Sequence, residues 1–137
     1  MRFFIELSYK GTNYHGWQVQ PNANTVQAEI NKALRTILNA KIEVMGAGRT
    51  DAGVHAKQMY AHFDYNTSFD APKLIMKLNS FLKNDIAIHA IFPVDAHCRF
   101  DAISRVYKYN IVQSKSPFAD DAYFVHKKLD VTAMNMA

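Results

Sequence analysis

The sequence predicts an α+β fold, a ferredoxin-like sandwich with two helices packed on one face of a mainly antiparallel sheet. Three observations lead there. Stretches of period-2 alternation and stretches of helical periodicity follow one another as strand, helix, strand, strand, helix, strand. The segments are long enough, and the links between them short enough, for antiparallel pairing. The chain of 137 residues suits one such core, with 49% hydrophobic and 20% charged residues, values of a folded domain rather than a disordered one.

Each element has its own local reason. In residues 2–9, Phe3, Ile5, Leu7 and Tyr9 share one face while Arg2, Glu6 and Ser8 share the other, with Phe4 as the exception. From Lys10 to Asn24 the chain carries Gly11, Asn13, Gly16, Pro21, Asn22 and Asn24 and reads as loop. Residues 25–39 read as a helix, because Val26, Ile30, Ala33, Leu34, Ile37 and Leu38 form a single apolar stripe, with Asn24 or Thr25 as N-cap. Ile42 to Met45 is a short strand that runs into a glycine-rich turn, and Val54 to Tyr65 is a longer strand after it. Asp70 caps a second helix, whose inner side is Leu74, Ile75, Leu78, Phe81 and Leu82. Strands follow at about 86–92 and 104–113, and residues from Leu129 onward begin a helix. Residues 1–116 are read as one α+β domain, and 117–137 as a connection and the start of a truncated second domain.

Composition narrows the setting. The one cysteine, Cys98, has no partner for an internal disulfide, so the cytoplasm is the expected compartment. The opening MRFFIELSYKG lacks the apolar run of a signal peptide, and no window approaches the roughly 18 apolar residues of a membrane span. Sixteen Lys and Arg against twelve Asp and Glu give a net charge of +4, a bias that suits a polyanionic partner. His55, His62, His89, His97 and His126 fit no metal-ligand spacing, so no metal is expected.

The most informative segment is Gly46-Ala47-Gly48-Arg49-Thr50-Asp51-Ala52-Gly53-Val54-His55. Glycines here permit positive φ and close backbone approach. The segment is not a nucleotide cradle. Its glycine spacing differs from the dinucleotide fingerprint, Val54-His55 stand where a phosphate loop needs Lys and Ser or Thr, and a strand follows where both motifs need a helix. Two readings remain from the residues themselves: a tight turn with Asp51 as its cap and Arg49 as its ion-pair partner, or a site that presents a carboxylate.

GAGRTDAGVHA resembles the signature loop of the tRNA pseudouridine synthase A family, which carries that family's single catalytic aspartate. Further stretches agree in order: Tyr9-Lys10-Gly11-Thr12-Asn13-Tyr14-His15-Gly16-Trp17-Gln18, then Thr25-Val26-Gln27, then Arg99-Phe100-Asp101-Ala102 leading to Arg105-Val106-Tyr107-Lys108-Tyr109. The resemblance covers this chain and the N-terminal half of such an enzyme. It implies that Asp51 is catalytic, by attack on the sugar, attack on the base or removal of a sugar proton, each of which starts from the ionised carboxylate. It implies substrate contacts from Arg49, which enters the space left by the extruded base, from Thr50, and from Tyr107, whose ring stacks on the uracil. It further implies tRNA as partner, uridines of the anticodon arm as targets, a homodimer, and no cofactor. His15 and Trp17 lie in the loop after the first strand, where either can touch RNA or pack. The other class of function to weigh is a non-catalytic RNA-binding module of the same fold. A chain that ends on an unfinished helix is expected to be an N-terminal fragment with little activity of its own.

Overall fold

The structure is a computed structural model that describes residues 1–137. It divides into two compact units, Met1–Ile103 and Ser104–Ala137. That boundary lies ahead of the 116/117 division read from the sequence.

In the first unit the elements are β1 (Arg2–Tyr9), α1 (Val26–Leu38), β2 (Met45–Gly46), β3 (Ala56–Asp64), α2 (Ala71–Phe81) and β4 (Ile86–Val94). The sheet order is β2-β3-β1-β4, and every pairing is antiparallel. This is the predicted α+β sandwich with its β-α-β-β-α-β order. Strand β1 is central, and its register runs from Arg2 opposite Asp64 to Tyr9 opposite Ala56.

Burial follows the alternation. Ile5, Leu7 and Tyr9 of β1 meet Met59, Ala61 and Phe63 of β3 and Ile86, Ile88 and Ile91 of β4, and the helices close this core with Val26, Ile30, Leu34, Leu74 and Leu78. Such burial is the main stabilising term of the fold. Thr25 caps α1 by accepting from the Ala28 N–H, and Asp70 caps α2 by accepting from the Lys73 N–H. Phe4, the exception to the alternation, lies on the other face of the sheet. There its ring is about 6 Å from those of Tyr60, His62 and Phe92.

Polar side chains tie the layers together. Asn31 accepts from the Val44 N–H at 2.8 Å, and Gln27 donates to the Val44 carbonyl at 2.7 Å, so α1 supplies hydrogen bonds that a two-residue β2 cannot. Asn79 of α2 does the same for Ile88, at 2.8 Å in both directions, beside the register shift between β1 and β4.

The second unit holds β5 (Ile111–Val112), β6 (Tyr123–Phe124), paired in parallel, and α3 (Val131–Met136), capped by Asp130. The strand expected over 104–113 is thus reduced to Ile111–Val112. Alternation shows a capacity to form a strand, but a strand exists only where a neighbour offers its N–H and C=O groups. Only Ile111 and Val112 have that neighbour, in Tyr123 and Phe124.

Candidate functional site

The glycine-rich turn is the β2–β3 connection, residues 47–55. It is held against the segment that follows β1. The Trp17 N–H donates to the Thr50 carbonyl at 3.2 Å, and the Gly53 N–H donates to the Tyr14 carbonyl at 3.2 Å. The Gly11 N–H donates to His55 Nδ1 at 2.9 Å. Gly16 has φ +79°, and a Cβ on it would collide with the Thr50 carbonyl oxygen. Only glycine satisfies both the backbone angle and the approach.

Within the turn the Val54 N–H donates to the Asp51 carbonyl at 3.2 Å, which closes a tight bend. The Asp51 side chain is exposed and takes part in no hydrogen bond or ion pair. The turn-capping ion pair between Arg49 and Asp51 does not form; Arg49 is also exposed. Thr50, between them, turns the other way. Its hydroxyl lies 2.9 Å from the Tyr9 hydroxyl, in a partly buried hydrogen bond.

The neighbours of the turn are now placed. Trp17 is buried and packs 6.1 Å from the Tyr9 ring, so of the two loop residues it is the one that packs, and His15 is the exposed one. Tyr14 donates to Asp85 at 2.6 Å, and burial, with that carboxylate beside it, raises its phenol pKa well above the ordinary range. Asp85 also accepts from Asn13 at 3.2 Å and, through its carbonyl, from the Lys10 N–H at 2.9 Å. The loop that clamps the turn is thus itself anchored at the start of β4.

The Arg99-Phe100 segment lies in a turn in which Cys98 is buried against His62, Sγ to Nδ1 3.1 Å, and donates to the Met45 carbonyl at 3.0 Å. His97 stacks on Phe100 at 4.3 Å and meets the edge of His62 at 4.5 Å. Burial, then the positive charges of Arg2 and His97, lower the His62 pKa below the usual imidazole value.

Of the four residues singled out in the sequence, Arg49, Thr50 and Asp51 lie together on the turn. Tyr107 belongs to the second unit, outside any regular element, and is 68% exposed. Sequence reasoning missed Tyr9 as a polar contributor, because alternation counts tyrosine among the core residues. It also missed Gln27 and Asn31, which stand one helical turn apart within the buried face of α1 and could have been noticed for that.

No helix is long and apolar enough to cross a membrane. The arrangement presents one carboxylate, free of partners, on a hydrogen-bonded bend with a cation two residues away. That can serve a nucleophile or a general base.

Comparison with known proteins gives a consistent result. A family model described as tRNA pseudouridine synthase matches residues 7–101. The tRNA pseudouridine synthase A of Bacteroides thetaiotaomicron is 50% identical over 139 residues, covering 99% of this chain and 52% of its own length. That of Bacteroides fragilis is 51% identical over 140 residues, covering 99% and 56%. The tRNA pseudouridine synthase A 1 of Protochlamydia amoebophila is 40% identical over 139 residues, covering 97% and 54%. The chain spans about half the length of the curated relatives it matches.

Proposed function

The chain belongs to the tRNA pseudouridine synthase family, and from that premise we propose that it is the aspartate-bearing half of an enzyme that isomerises uridine to pseudouridine in tRNA, with Asp51 as the catalytic residue. The observation that carries this is the Asp51 carboxylate, exposed and unpartnered on a turn whose neighbours on both sides are pinned. A carboxylate left merely to cap a turn would be engaged with that turn's own N–H groups.

The reaction breaks the bond between the sugar and the base nitrogen, turns the base, and forms a carbon–carbon bond to the same sugar, so atoms and electrons balance without a cofactor. The carboxylate provides the nucleophile or base for this exchange. Arg49 and Thr50 contact the RNA around the base taken from its stack, an extrusion that costs a few kcal/mol. The guanidinium of Arg49 can stack on bases and bind phosphate. Tyr107 stacks on the uracil. The domain that carries the aspartate extends to about residue 116, and 117–137 lead into a second domain. The targets are uridines of the anticodon arm, the assembly is a homodimer, and the compartment is the cytoplasm, where tRNA is the partner.

The test is to map pseudouridine, by sequencing, in tRNA treated with the full-length protein and with its Asp51→Asn form. Loss of at least about a thousandfold in rate with retained tRNA affinity is expected, because the amide can neither attack nor take a proton. Wild-type isomerisation by Asp51→Asn would remove Asp51 from the chemistry. Tight tRNA binding with no isomerisation by either form would favour an RNA-binding module.

A further inference from the structure

We propose that Tyr9 is a positioning residue for this site, acting through Thr50 to fix how the turn presents Asp51. The inference rests on the reading of Asp51 as the catalytic carboxylate.

The Asp51 side chain has no tether of its own, so its direction is inherited from the backbone, whose carbonyl accepts from the Val54 N–H at 3.2 Å, and from the residues on either side. On the N-terminal side that backbone is Thr50, and Thr50 is held at two points. Its carbonyl accepts from the Trp17 N–H at 3.2 Å, and its hydroxyl shares a hydrogen bond of 2.9 Å with Tyr9. On the C-terminal side the Gly53 N–H is bound to Tyr14 at 3.2 Å. Remove the hydroxyl pair and Thr50 keeps only one backbone contact, about which its peptide can rotate.

Tyr9 is suited to the task by its place in the fold. It ends the central strand, is 4% exposed, and packs its ring beside Trp17. Its hydroxyl also reaches Met59 Sδ at 3.5 Å. Burial raises the phenol pKa above the ordinary value, so the group stays a neutral hydroxyl at working pH. A phenylalanine would fill the same space in the core; what the hydroxyl adds is the link to Thr50. The pair connects the rigid centre of the sheet to the one residue adjoining the carboxylate, the support that a reactive group needs from its surroundings.

The experiment measures kcat and KM for tRNA in the full-length protein and four variants, Tyr9→Phe, Thr50→Val, Thr50→Ser and the double variant Tyr9→Phe/Thr50→Val, with Asp51→Asn alongside. Thermal unfolding of each reports folding separately. Tyr9→Phe is expected to lower kcat roughly 10-fold with KM within about twofold, since small misplacements of a reacting group act on the chemical step. Thr50→Val should match it and Thr50→Ser should restore most of the rate. The double variant should be no slower than the slower single one, because both remove the same link. A fully active Tyr9→Phe, or losses that multiply in the double variant, would overturn the inference while an inactive Asp51→Asn left the functional reading standing. An active Asp51→Asn would overturn that reading and the inference with it.

Discussion

Asp51 lies on a turn whose backbone is tied down while its carboxylate is left unengaged. Asp51 is held through its neighbours, by the Tyr9–Thr50 hydroxyl pair, the Trp17 N–H and the bend closed by Val54. The glycines make this approach possible, and they do so differently. Gly16 and Gly53 both have positive φ, +79° and +80°, but a Cβ meets the Thr50 carbonyl at the first and nothing at the second. Gly53→Ala should therefore cost about 1–2 kcal/mol, the strain of a left-handed backbone. Gly16→Ala should cost clearly more, because the turn must also move. Urea unfolding midpoints of the two variants check the order, and equal losses would show that the contact at Gly16 is slack. The turn was legible in the sequence because glycines free their own backbone for a bend. The hydroxyl link from Tyr9 was not, since its partner Thr50 stands 41 residues away in the chain.

Among the elements, the helices were readable nearly to the residue, as periodicity and a capping side chain are both local signals. The short β2 was placed early, at 42–45 rather than Met45–Gly46, because its extent depends on which residues find partners in β3. A pH response belongs to this scale. His62 of β3 is buried beneath the Cys98 turn, with the His97 ring at 4.5 Å, Cys98 Sγ at 3.1 Å, Phe4 on its own sheet face, and the charged pair Arg2–Asp64 nearby. Its folded pKa is lowered, so below the unfolded value of about 6.5 the unfolded chain binds a proton that the folded chain resists. This contribution to stability is complete above about pH 6.5 and is lost as pH falls towards the folded value. Denaturation midpoints of the wild type are expected to decline between about pH 7 and pH 5, and those of His62→Gln to decline less. Parallel curves would show that His62 does not carry the response.

At the scale of the whole molecule, residues 1–103 enclose a core while 104–110 have no regular structure and are exposed. Brief trypsin treatment should cut first between Ser104 and Asn110, leaving a folded piece close to residues 1–103, and mass spectrometry reads the cut. First cleavage within the β2–β3 turn would contradict the clamping described for it. Local pattern by itself determined the fold class, the helix boundaries, the caps and the loop that carries Asp51, because propensity, periodicity and turn chemistry act over a few neighbouring residues. Tertiary structure alone decided that Asp51 stands free of Arg49, that Tyr9 reaches Thr50, that Asn31 and Gln27 support β2, and that most of 104–113 is not a strand. The last three depend on a hydrogen-bond partner, present or absent, distant in the chain, and a sequence records which groups can pair but not which of them meet.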